Sequence, residues 1–142
     1  MTAPVTAPAS TPVTAPSAVD PSRYLLLPAD ADEGFPQAFR LALGAGLYTV
    51  ALTVTVVDEE RLAGGRPLAL PEPGAFMVAT VTRETPGPAV VVLRRKLVPG
   101  VPLEGGELAL LPVVLTVDPR NLGAAGSYGS EVRVGVASRW AS

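Results

Sequence analysis

The chain has 142 residues with a net charge of −2, 14 Gly and 16 Pro, and it contains neither Cys nor His. That is long enough for one domain with a real core. The missing Cys and His exclude disulfides, thiolate nucleophiles, Cys-based metal sites and the usual general base near neutral pH. No stretch reaches about 18 uninterrupted apolar residues, which argues against a membrane helix, and no basic region followed by an apolar run marks a secretory signal.

Residues 1–19, MTAPVTAPASTPVTAPSAV, place proline at Pro4, Pro8, Pro12 and Pro16. Proline locks its own φ and pushes the preceding residue toward extended conformations, so no helix runs through this stretch. It reads as an extended arm of polyproline character over residues 1–20, reaching on the order of 60 Å. An all-β domain over residues 21–142 follows, of sandwich or barrel-like form. Tyr24 to Leu27 is a short apolar run stopped by Pro28, which suits an edge strand. Asp30, Asp32 and Gly34 faintly echo a calcium loop, but the distal Glu is missing and an ordinary acidic loop is favoured. Phe35 to Leu43 alternates apolar and mixed residues as a strand, and Gly44-Ala45-Gly46 reads as a three-residue hairpin connection.

Gly46 to Val57, GLYTVALTVTVV, has the strongest period of two in the chain. Tyr48, Val50, Leu52, Val54 and Val56 form the greasier face. At about 3.3 Å per residue the strand spans roughly 40 Å and needs neighbours along its length. Asp58, Glu59 and Glu60 cap it as a solvated turn rather than as a cation cluster. Pro67, Pro71 and Pro73 make PLALPEPG a rigid loop in which a central strand is disfavoured.

Ala75 to Arg83 and Ala89 to Val98 are read as a hairpin joined by ETPGP. Arg94, Arg95 and Lys96 put charge on both faces of the second arm, a pattern that belongs at a sheet edge. Three cations without an aromatic platform, in a nearly neutral chain, argue against nucleic acid as a partner. Glu107 to Val117 is a strand with a break or bulge at Pro112. The stretch GGRPLALPEP at 64–73 echoes GGELALLPVV at 105–114. Asp118 to Ser130, DPRNLGAAGSYGS, is a glycine-rich loop, either flexible or closely packed, that offers Tyr128 as a contact residue. Glu131 to Trp140 closes the domain as a strand, with Trp140 sealing the end of the core or an interface.

No nucleophile here has an activating base, and no phosphate loop is present, so a catalytic role, a cofactor and a metal are not expected. Residues 1–60 carry two bases against seven acids, whereas residues 61–142 carry nine against six. Such asymmetry could bring subunits together head to tail or close one domain on itself. An extended arm, a Val/Thr-rich sheet and no catalytic equipment fit a non-catalytic structural protein. Its partners are expected to be copies of itself or another structural protein of one symmetric assembly. Capsid shells, capsid decoration proteins and tail or neck proteins share this general build, so the expected location is the virion if that reading holds. Candidate interface residues are Val5, Val13, Val19, Arg94, Arg95, Lys96, Tyr128 and Trp140. The competing expectation is a carbohydrate- or protein-binding β-sandwich on a Pro/Thr linker.

Overall fold

A computed structural model describes residues 24–43, 46–63 and 65–138. These form two antiparallel sheets packed face to face, an all-β sandwich. One sheet has four strands in the order β2 (Gln37–Leu43), β3 (Gly46–Val56), β5 (Ala75–Arg83) and β6 (Val90–Lys96). The other runs β1 (Leu25–Leu26), β9 (Glu131–Ser138), β8 (Leu108–Val117) and β4 (Leu68–Ala69), with β7 (Leu103–Gly105) also paired to β8.

The alternation in β3 sets the core. Tyr48, Val50 and Leu52 are buried, and across β5 the same face buries Ala75, Met77, Ala79 and Val81. Leu108, Leu110, Leu115 and Val117 of β8, with Val132, Val134 and Val136 of β9, supply the facing layer. Apolar area removed from water here is the main stabilising term. β3 does find neighbours along its length: β2 pairs with it from Leu43 opposite Gly46 to Gln37 opposite Leu52, and β5 covers Tyr48 through Val56. Beyond Leu52 only β5 continues, so Val54 and Val56 are half-buried.

Three sequence readings are refined. The β2–β3 connection is two residues, 44–45, rather than three, because Gly46 already pairs with Leu43. β8 is continuous through Pro112. Its register against β9 shifts between Arg133 and Val134, so Val113 is the extra residue of a bulge. A bulge lets proline sit in a strand without deleting a ladder bond that its neighbours need. The PLALPEPG loop contains the two-residue strand β4, at the end of its sheet, where proline neighbours are tolerated. The two echoing Gly-Gly segments do not occupy equivalent places. Leu68 lies opposite Val117, whereas Leu108 lies opposite Ser138.

Where the two sheets approach at β7, Gly105 leaves no room for a side chain. A Cβ there would lie 2.5 Å from Val92 O and 2.8 Å from Leu93 Cβ. The contact joins β7 of one sheet to β6 of the other. Tyr48 makes a second link. Its hydroxyl donates to Glu107 Oε1 at 2.9 Å, and Arg83 Nη1 sits 3.4 Å from Glu107 Oε2. Burial, together with the Glu107 carboxylate, pushes the Tyr48 phenol above its ordinary pKa.

Candidate assembly surfaces

Of the candidate interface residues, Val5, Val13, Val19 and Trp140 lie outside the described residues. Arg94, Arg95 and Lys96 all fall on β6, which is the last strand of its sheet. They do not form one patch. Arg94 and Lys96 stand opposite Thr80 and Val78 on the outer face, and Lys96 Nζ lies 5.5 Å from the centre of the Phe76 ring. Arg95 stands opposite the buried Ala79, between buried Leu93 and Leu97, yet is itself exposed. Its charge therefore occupies the core side of the edge. A strand added there would have to desolvate it, which is how natural edges resist pairing. A register shift between Val81 and Thr82 leaves Val92 as an extra residue and bends the same strand.

Tyr128 lies in the 118–130 loop, which is closely packed rather than open. Asp118 and Asn121 are buried at its base. Asp118 begins a 3-10 turn over Pro119–Asn121, accepting from Arg120 N–H through Oδ1 at 2.9 Å. The Arg120 guanidinium returns to the same carboxylate through Nε at 3.0 Å and Nη2 at 3.2 Å. Asn121 gathers the loop. Its Nδ2 donates to Gly126 O at 3.0 Å and Ala124 O at 3.3 Å, and its Oδ1 accepts from Ser130 Oγ at 2.6 Å. Ser130 Oγ in turn accepts from Asp118 N–H at 2.7 Å. Tyr128 stacks on Arg120, with the guanidinium carbon 4.1 Å from its ring centre. The half-buried ring is thus already engaged inside the chain. The Asp-Pro turn opening was legible in sequence. Nothing in the sequence marked Asn121 as the residue that ties both ends of the loop.

A second carboxylate was also missed. Glu72 accepts from Ala69 N–H at 3.0 Å and pairs with Arg61 and Arg66 at 3.1 Å each. It closes the 59–74 segment on itself. Asp58 serves locally, accepting from Glu60 N–H, and Asp30 accepts from Asp32 N–H in the same way. Among the described residues, no group of three or more carboxylates is arranged to hold a metal ion, and no helix is long and apolar enough to cross a membrane.

Both nodes predict acid sensitivity. Burial raises the Glu72 pKa, but the Arg66 hydrogen bond and charge, the Ala69 N–H and Arg61 outweigh it and hold the group below its usual 4.5. The Arg120 hydrogen bonds hold Asp118 below its usual 3.8. Because these values are depressed on folding, the unfolded chain binds more protons, and stability present above about pH 5 is lost as the pH falls through the folded values. Urea midpoints should fall steeply below that pH. The Glu72→Gln variant should start lower at neutral pH and show a shallower acid slope. An unchanged slope would remove Glu72 from this account.

Some of the exposed apolar residues lie on edge strands. Leu25 and Leu26 of β1 are 71% and 63% exposed, and Val90 and Val91 of β6 are also open. β2, the other edge of the four-stranded sheet, runs seven residues in unbroken register. Its only charge, Arg40, is held in a two-pronged pair with Glu84 at 2.8 and 3.0 Å. That pairing raises the Arg40 pKa and lowers the Glu84 pKa. Phe39, Leu41 and Leu43 on the core side of β2 are only half-buried. In comparison with known proteins, the chain matches no family model, no curated protein and no solved structure.

Proposed function

We propose that the chain is a non-catalytic structural protein that uses residues 1–20 and its β-sandwich to build or decorate a symmetric assembly, such as a viral capsid or tail. The observation that carries this reading is the open apolar edge at Leu25 and Leu26, just where the proline-spaced residues join the body. Large exposed apolar groups on a sheet edge favour pairing with another chain. Each copy then contributes one arm and one receiving surface, and a closed ring or lattice gains from repeated contacts. Proline lowers the entropy lost when an arm becomes ordered.

Light scattering on the full chain and on a chain lacking residues 1–20 tests this. The full chain is expected at a multiple of the 14.5 kDa subunit mass, and the truncated chain at a single subunit. A single-subunit mass for both, with residues 1–20 readily cleaved by protease, would instead favour a binding module on a linker.

A further inference from the structure

We infer that β2 of one copy pairs antiparallel with β2 of a second copy, about a two-fold axis at Arg40, so that their four-stranded sheets run on as one. This rests on the assembly reading above and adds to it a contact that does not involve residues 1–20.

The edges of the two sheets are unequal as receivers. β1 and β4 offer two residues each. β6 is bent by its bulge and carries exposed Arg95 on its core side. β2 is seven residues in unbroken register, with no proline inside it, and among the described residues no strand lies beyond it. Its one charge is held away from the edge. Arg40 stands opposite Thr49 of β3, yet its guanidinium reaches Glu84, which follows β5, at 2.8 and 3.0 Å. β5 is on the far side of β3, so the cation lies over its own sheet and is neutralised there. The charge that would discourage a strand from adding is thereby withdrawn. The open apolar edge of β1 lies on this same side of the sandwich, since β6 and β7 meet at the other.

The backbone groups of this edge are self-complementary. Glu84 N–H donates to Leu47 O, so the odd residues of β3 bond to β5 and the even ones to β2. Gln37, Phe39, Leu41 and Leu43 pair with those even residues, which leaves Ala38, Arg40 and Ala42 turning their N–H and C=O groups outward. In a two-fold pairing centred on Arg40, Ala38 meets Ala42 of the second copy, Arg40 meets Arg40, and Ala42 meets Ala38. Every outward group on both edges then has a partner. A slip by two residues loses a pair, either to Pro36, which has no N–H, or past the end of β2 at Leu43. Residues opposite one another share a face. The half-buried Phe39 and Leu41 therefore meet Leu41 and Phe39 of the second copy on the core side. Leu43 of the second copy comes opposite Gln37, beside a recess of about 480 Å³ lined by Pro28, Pro36, Gln37 and Phe39. The two arginines face each other only as halves of neutral pairs with Glu84, so the like-charge penalty is small. The contact is short and belongs to the weak class. It joins copies already gathered in the assembly and does not hold dilute subunits lacking residues 1–20 together.

Disulfide trapping in the full chain reads this register, and it is clean in a chain without cysteine. In the pairing, position 38 of one copy and position 42 of the other have Cα atoms about 5.5 Å apart, within disulfide range. Like positions, 38 with 38 or 42 with 42, are about 13 Å apart. Co-expression of an Ala38→Cys chain with a size-tagged Ala42→Cys chain should therefore give covalent mixed dimers on a non-reducing gel after mild oxidation. Either chain alone should give roughly tenfold less. Glu84→Gln in both chains frees the two guanidinium groups to repel, so trapping should slow at low salt and recover as salt is raised. Equal trapping in mixed and single-chain samples overturns the register. Trapping in the Glu84→Gln chains that ignores salt overturns the neutralising role of Glu84. A full chain that light scattering finds oligomeric, but that traps no mixed dimer, overturns the β2 contact and leaves the assembly reading standing. A single-subunit mass for the full chain overturns both.

Discussion

Asn121→Ala is expected to lower the unfolding free energy by about 3 kcal/mol in urea titrations. The side chain is fully buried and makes three hydrogen bonds, two given and one received. Truncation does more than remove those bonds. It leaves the Gly126 carbonyl and the Ser130 hydroxyl, both half-buried, short of a partner at about 1 kcal/mol or more each, and it takes the loop's anchor from the exposed Ala124. The damage should spread through the main chain. Phe35 N–H donates to Asn121 O at 2.8 Å, and Gly126 N–H donates to Asp32 O at 2.8 Å. Hydrogen exchange should therefore speed up at Phe35 and Gly126 before it does in β3. Asn121→Asp should be at least as harmful near neutral pH, because an oxygen would face two carbonyls where an amide donated. A loss below about 1 kcal/mol for Asn121→Ala would mean that the loop is held by Asp118 and Arg120 instead.

Leu52→Ala should cost about 3–4 kcal/mol, with the denaturant slope unchanged. Leu52 is fully buried near the middle of β3, opposite Gln37 on one side and Ala79 on the other. Ala79, directly opposite, is too small to fill the space, so part of the cavity should persist even if the buried Met77 and Val81 on either side of it adjust. Val54→Ala, two residues on, removes fewer atoms from a half-buried place where β2 no longer covers the strand. Its cost should stay below about 1.5 kcal/mol. If the two variants are equally destabilised, the burial gradient along β3 is not what sets its energetics.

Strand positions were largely readable along the chain because side-chain alternation is a local signal. Tyr48, Val50 and Leu52 declared the core face of β3, and Ala75 to Arg83 was bounded correctly by the turns on either side. The edge position of β6 was also readable, since Arg94, Arg95 and Lys96 in succession cannot all be desolvated. Tyr24 to Leu27, stopped by Pro28, was legible as an edge for a related reason: a short run next to a proline offers few ladder bonds and suits the end of a sheet. The candidate surface was legible only in part. Arg95 as an inward-facing guard required the register with Ala79, and the open regular edge at β2 required knowing that no described strand lies beyond it.

Local patterning thus determined which segments are extended, which face of each is apolar, and where charge or proline forbids a central place. The tertiary structure alone decided the sorting of strands into two sheets, with β4 crossing away from its sequence neighbours β3 and β5 to pair with β8. It also decided that Glu72 and Asn121, ordinary polar residues in their loops, become buried or nearly buried nodes. The physical reason is the same in each case. Pairing and polar burial depend on which distant segments meet once the chain is compact, and a period of two along one strand carries no information about the strand across from it.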